Sequence, residues 1–233
     1  MWLVAEYQPT ALFSLKPAWA TSSGGKSLLL PTPYAIKMAL LDGLCRVKGV
    51  SVAEELWPAI RDLVIAIHGP DRIVANNTFT RILKPMRSDA GGNGDAYQRT
   101  IGFREYVYLA GPIGIGLRFE DENLIAMLTE GLLQISYLGK RGSFVQLVAP
   151  PRTLDDLPDG FFAIVDDESG TFRIEGILHE LDDTGREATF EKVNIFSGKS
   201  IRLGKERVLR HVTLPYRLVC SSKAYTYYER IDV

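Results

Sequence analysis

An α+β fold is predicted by three observations on this 233-residue chain. Apolar residues recur at helical spacing in three stretches between Thr32 and Ile135, and extended runs alternate with them. After Pro150-Pro151 the pattern changes to short β-type runs separated by Asp, Gly and Ser. Hydrophobic residues make up 46% and charged residues 24%, the ordinary globular mixture, so a disordered or fibrous chain is excluded.

The elements follow in order. Residues 2–8 alternate and read as a strand, and Leu15 to Gly25, with its Pro, Ser and Gly, reads as a loop. A helix is expected from Thr32, which can cap it with Pro33 in the first helical position; Ile36, Leu40, Leu44 and Val47 then share one face. Ser51 with Glu54 offers a second capping box, leading into a helix with Leu56, Ile60, Leu63, Val64 and Ile67 that Pro58 would split or delay. His68 would end that helix. Ile73–Leu83 and Phe103–Leu109 read as two extended arms around the tip Ala90-Gly-Gly-Asn-Gly-Asp95, a long hairpin. Gly111-Pro112 turns into a strand from Ile113 to Phe119, Asp121 caps a helix with Ile125, Leu128, Leu132 and Ile135, and a strand runs from Ser143 to Val148. Further short runs are expected at 161–165, 171–178, 188–196, 207–219 and 224–230.

Stripped of its insertions, the first part has the βαββαβ order of a ferredoxin-like domain. The expected organisation is a ferredoxin-like domain over 1–150, including a hairpin thumb at about 76–107, with a β-rich region over 151–233 packed on it.

Two cysteines, Cys45 and Cys220, sit in segments that read as buried, which fits a reducing cytoplasm. The N-terminus lacks the pattern of a signal peptide, and no window approaches about 20 apolar residues, so no membrane association is expected. The net charge of −1 hides a division. Residues 1–119 carry 13 basic against 9 acidic side chains, residues 120–187 carry 5 against 15, and residues 188–233 carry 9 against 4. A near-neutral average can therefore conceal a basic face, although the acidic stretch is equally read as solvated turns.

Motifs for catalysis are weak. Ala20-Thr-Ser-Ser-Gly-Gly-Lys26-Ser27 fits a relaxed phosphate-loop pattern, but a strand does not precede it and Pro31 and Pro33 forbid a helix starting at Lys26. Gly111-Pro-Ile-Gly-Ile-Gly116 imitates part of a dinucleotide fingerprint, yet it lies between two strands; a tight turn and small strand residues explain it better. His68, His179 and His211 pair with no second ligand at helical spacing, so neither metal nor cofactor is expected. The hairpin is more informative. Arg81, Lys84 and Arg87 lie on one arm and Arg99 and Arg104 on the other, with Phe79, Tyr97, Phe103 and Tyr106 among them. Cations that track phosphates, interleaved with rings that stack on bases, suit single-stranded RNA.

Three segments then point to a family. Leu29-Leu-Pro31-Thr-Pro33-Tyr-Ala-Ile-Lys37-Met-Ala-Leu-Leu-Asp-Gly43 resembles the proline-rich entry into the first helix of the CRISPR-associated Cas5 family. Tyr137-Leu-Gly139-Lys140-Arg141-Gly-Ser-Phe144 is similar to that family's Leu-Gly-basic segment, and Tyr225-Thr-Tyr-Tyr228 to the aromatic C-terminal run of some members. The resemblance implies a ferredoxin-like domain with a protruding thumb and a non-catalytic subunit of a type I surveillance complex. It implies binding to the 5′ handle of the guide RNA, beside the repeated backbone subunit and the large subunit. Lys37, Arg81, Lys84, Arg87, Arg104, Lys140 and Arg141 are the candidate handle contacts; Lys140 and Arg141 alone fall in a matched basic segment, and the rest stand on charge and position.

Two alternatives stay open. One branch of the family cleaves precursor RNA without metal, using a tyrosine with a Lys-His pair; no Lys-His dipeptide occurs here, though Tyr34, Lys140 or His68 could be recruited. The other alternative is a protein-interaction module without an RNA role.

Overall fold

The computed structural model describes residues 1–20, 25–85, 97–165 and 175–231. Among these, the strands are β1 (Trp2–Pro9), β2 (Val64–His68), β3 (Arg72–Pro85), β4 (Tyr97–Leu109), β5 (Ile113–Arg118), β6 (Val145–Leu147), β7 (Arg152–Leu154), β8 (Phe162–Ile164), β9 (Ile177–Thr184), β10 (Arg207–Leu214), β11 (Tyr216–Ser221) and β12 (Tyr225–Arg230). The helices are α1 (Pro33–Lys48), α2 (Val50–Asp62), α3 (Ile125–Leu133) and α4 (Phe190–Val193).

The central sheet runs β6-β1-β5-β2-β8, with β7 also pairing β1, and every neighbouring pair is antiparallel. Alternation decides its buried face. Leu3, Ala5 and Tyr7 of β1 lie opposite Leu117, Ile115 and Ile113 of β5, and Ile65 and Ile67 of β2 continue the same layer, all buried. The helices cover this face: Tyr7 donates its hydroxyl hydrogen to the carbonyl of Leu132 in α3, at 2.8 Å. On the other face Gly114 and Gly116 leave room for Phe161 and Leu157, since a Cβ at either position would collide with those side chains. This packing accounts for the glycine spacing without any dinucleotide.

Helix α1 forms where expected. The Thr32 hydroxyl accepts from the Ala35 amide at 3.1 Å, Pro33 opens the first turn, and Ile36, Leu40 and Leu44 are fully buried. Val47 instead faces outward in the last turn of the helix, 41% exposed. Gly43 lets α1 approach α3 closely, as a Cβ there would sit 2.8 Å from the Gly131 carbonyl oxygen.

The second helix departs from expectation at both ends. It starts at Val50 behind Gly49, whose φ of 88° suits glycine, and no side chain caps it, so the Ser51–Glu54 box is not used. It runs through Pro58 and stops at Asp62. Val64–His68 is then a strand, not a continuation of the helix. An apolar run of that length reads equally as either, and only pairing with β5 and β8 decides it. Segment 188–196 holds the short helix α4 where a strand was expected, and β7 was not anticipated. Asp121 caps a 3-10 turn at Glu122–Leu124 that leads into α3. The hairpin tip at Ala90–Asp95 and residues 171–174 of the 171–178 run lie outside the described residues, and 177–178 open β9.

The second sheet is ordered β11-β12-β3-β4, so C-terminal strands pair directly with the long arm. The third is the β9–β10 ladder, tied to α1 through Lys37 and Asp183. Cys45 is half-buried and Cys220 is exposed, correcting the expectation that both are buried. No described helix is long and apolar enough to cross a membrane.

Candidate nucleic-acid interface

The arm is an antiparallel ladder of 13 residue pairs, from Ile73 opposite Leu109 to Pro85 opposite Tyr97. At about 3.3 Å per residue this is about 40 Å of strand. Its root is core: Ile73, Ala75, Val107 and Leu109 are buried. From Thr80 to Pro85, and at Tyr97 to Arg99 opposite, the side chains stand in solvent.

Because side chains alternate, the arm presents two different surfaces. The odd-numbered positions continue the core face outward and carry Phe79, Arg81, Leu83, Tyr97, Arg99, Ile101 and Phe103. Phe79, Leu83, Tyr97 and Ile101 are 69%, 64%, 59% and 70% exposed, and the Phe79 and Phe103 rings pair at 5.3 Å between centroids. Arg81 stands opposite Ile101 and diagonal to Arg99, which faces Leu83. The even-numbered face carries Lys84 and Arg104 among Thr78, Thr80, Gln98 and Thr100. The structure thus brings Arg81 together with Arg99, and places Lys84 and Arg104 on the opposite face. Arg87 lies outside the described residues.

Electrostatics distinguishes these cations from most others in the chain. Among the described residues, no carboxylate lies within ion-pairing distance of Arg81, Lys84, Arg99, Arg104, Lys140 or Arg141. Lys26, by contrast, contacts the largely buried carboxylate of Glu105 at 2.5 Å, and that carboxylate also accepts from the Ser27 amide. Lys26-Ser27 is therefore a brace between the β1–α1 connection and β4, with no helix starting at it.

That same loop links the arm to a cleft. Phe13 exchanges two backbone hydrogen bonds with Val107, and the Glu105 amide donates to the Gly25 carbonyl. Leu15 and Lys16 then wall a cavity of about 330 Å³, together with Tyr34, Lys140, Asp182 and Arg207. Asp182, 2% exposed, accepts from Arg207 Nε at 2.6 Å, and the Arg207 guanidinium lies 4.3 Å from the centre of the Tyr34 ring. Burial raises the Tyr34 phenol above its ordinary value, Arg207 opposes the rise and Asp182 adds to it. Lys140 and Arg141 are exposed on a turn where Gly139 and Gly142 adopt φ of 73° and 102°, which only glycine takes readily.

Lys37 must be withdrawn from the candidate contacts. Its side chain is 2% exposed, and its ammonium donates to Asp183 Oδ1 at 2.6 Å, to the Arg61 carbonyl at 2.8 Å and to Thr184 Oγ1 at 3.1 Å. Three acceptors saturate its three hydrogens. Burial pulls its pKa down while Asp183 opposes that shift. It borders a groove of about 800 Å³ in which Arg61 is matched by Asp62 and Arg210 by Asp183, while Arg186 has no described carboxylate within ion-pairing distance.

His68 is likewise elsewhere, at the end of β2 with Phe161 against its ring and Arg230 at its Nε2. Burial and the Arg230 charge lower its pKa. It lines a separate cavity with Glu6, Arg152 and Asp159, so it does not join Tyr34 and Lys140. Sequence reasoning missed Lys16, Asp182 and Arg207; they meet Tyr34 only through long-range folding, and no local pattern marks them. The two-faced arm, however, was available from counting odd and even positions.

No family model matches the chain. A curated relative, the CRISPR-associated protein Cas5 of Archaeoglobus fulgidus, is 28% identical over 209 residues, which span 88% of this chain and 90% of the relative. Among solved structures, a chain of a CRISPR RNA-guided surveillance complex aligns over 91% of this chain and 88% of its own length, with TM-score 0.51 and 11% identity, a likeness of fold. A crystal structure of a CRISPR protein from Archaeoglobus fulgidus aligns over 98% of this chain and 91% of that one, with TM-score 0.47 and 15% identity.

Proposed function

This chain is a relative of the CRISPR-associated protein Cas5, and from that premise we propose that it is an RNA-binding subunit of a type I CRISPR surveillance complex. On this reading it holds the 5′ handle of the guide RNA and caps one end of the backbone filament, beside the repeated backbone subunit and the large subunit. The strand order β6-β1-β5-β2, all antiparallel, supports reading the first part as a ferredoxin-like βαββαβ unit, with β3 and β4 as its thumb. The kinship with Cas5 and the likeness to a chain of a surveillance complex support the assembly.

The observation that carries the reading is the arm: a long, exposed ladder whose cations have no described carboxylate partner and whose outer face bears a pair of aromatic rings. Phosphates supply grip to Arg81, Arg99, Lys84 and Arg104, and Phe79 and Phe103 stack on unpaired bases. The cleft of Tyr34, Lys16 and Lys140 adds a place for one nucleotide at the root of the arm. The test is binding of the purified chain to the 5′ segment of its own guide RNA against a scrambled strand of equal length. Tighter binding of the former, weakened by Lys140→Ala with Arg141→Ala, supports the reading; equal binding with no effect of the substitutions overturns it.

A second reading, metal-independent cleavage of precursor RNA, is kept because Tyr34 and Lys140 share one cleft. Its chemistry is less favoured. Activating the ribose 2′ hydroxyl needs a base, whereas Tyr34 has a raised pKa and stays a protonated donor near neutrality. Cleavage of repeat RNA in chelator, lost on Tyr34→Phe, would establish it.

A further inference from the structure

We propose that Ile195 and Phe196 form the anchor by which this chain docks onto a second protein, one offering an apolar pocket with an acidic rim. The two residues sit in the loop between β9 and β10 and are 84% and 90% exposed. Single surface hydrophobics need no explanation, but two adjacent large ones at such exposure, presented by an ordered turn, do.

The loop is rooted firmly. Trp57, buried in α2, donates its indole hydrogen to the carbonyl of Ala188 at 2.7 Å, and Phe190 and Val193 of α4 pack against the core. Just beyond, the turn is held by its own hydrogen bonds. The Phe196 amide donates to Asn194 Oδ1 at 3.0 Å and the Ser197 amide to the Asn194 carbonyl at 3.1 Å. Ser197 Oγ donates to the Glu191 carbonyl, and the Lys199 ammonium pairs with the Glu191 carboxylate. A preorganised pair of bulky side chains loses little conformational freedom on docking, the property of an interface anchor.

The surrounding charges favour a protein over RNA. Lys192 and Arg202 share the buried carboxylate of Glu206, and Lys199 is matched by Glu191, so the phosphate grip proposed for the arm is weak here. An isoleucine offers no ring to stack on a base. What remains is a modest positive excess, from Lys192 and Arg202 against one carboxylate and from exposed Lys205, which calls for carboxylates around the receiving pocket.

The inference rests on the proposed function in one respect: the partner is another protein of the same ribonucleoprotein. The experiment replaces Phe196→p-benzoylphenylalanine and irradiates the complex assembled on guide RNA from the host's CRISPR-associated proteins. An adduct with another protein subunit is expected. An adduct with RNA, an adduct with a second copy of this chain, or no adduct in a complex that has assembled would each overturn the proposal. In parallel, Ile195→Ser with Phe196→Ser should leave the unfolding midpoint and RNA affinity of the isolated chain unchanged while weakening incorporation by about 30-fold, the truncation cost of an interface hot spot. Unchanged incorporation overturns the proposal. Loss of RNA binding in the parent chain would instead strike at the proposed function and leave a protein adduct standing.

Discussion

Replacing Arg81→Ala and Arg99→Ala together removes the two cations on the aromatic face of the arm, and the effect can be worked out in advance. Six cations on the arm and on the turn between Gly139 and Gly142 have no described carboxylate partner: Arg81, Lys84, Arg99, Arg104, Lys140 and Arg141. If each neutralises one phosphate of a single strand, log affinity falls against log salt with a slope of about −4.2, at about −0.7 per phosphate. A fourfold rise in monovalent salt then weakens binding by roughly 300-fold. Without Arg81 and Arg99 the slope becomes about −2.8, and the same rise costs about 50-fold. Neither side chain contributes to the core, so the unfolding midpoint should not move. Fluorescence anisotropy of a labelled, unstructured RNA across a salt series reads both slopes. A parent slope near that of a single contact, or a double variant with the parent slope, would refute the reasoning.

Other expectations concern single residues. Phe79→Ala should cost about 1–3 kcal/mol of RNA binding through lost stacking and leave the salt slope unchanged, as read in the same anisotropy series. Lys37→Met leaves the buried carboxylate of Asp183 with only the longer pairing to Arg210 at 3.6 Å, so denaturant unfolding should show a loss at the lower end of about 3–5 kcal/mol, while RNA affinity per folded molecule stays the same. Glu206 has a folded pKa lowered to about 2, first by the hydrogen bond from Lys192. Its contribution is complete above the unfolded carboxylate value of about 4.3 and is lost as pH falls from there toward about 2, so Glu206→Gln should flatten the acid limb of a thermal-unfolding profile in that window.

Legibility from sequence followed the range of the interactions involved. The start of α1 was legible because Thr32 and Pro33 act within one turn, and the arm because its strands and turn residues adjoin. Val64–His68 was misread as helix because a five-residue apolar run carries no period of its own; its neighbours β5 and β8 are far away in sequence. Lys37 was misjudged for a related reason. A lysine in a helical sequence is a solvated cation unless a distant carboxylate meets it, and Asp183 lies 146 residues on. The cleft depends on the same kind of contact, with Arg207 and Asp182 brought to Tyr34 by the β9–β10 ladder. The two faces of the arm needed no structure, only attention to the strand's period of two.

Ultraviolet crosslinking of the chain to its guide RNA, with peptide mass spectrometry, asks most directly whether the arm holds nucleotides. Adducts at Phe79, Tyr97 or Phe103 are the expected result. Crosslinks that avoid residues 76–107 altogether and map only to other surfaces would contradict an RNA-gripping arm.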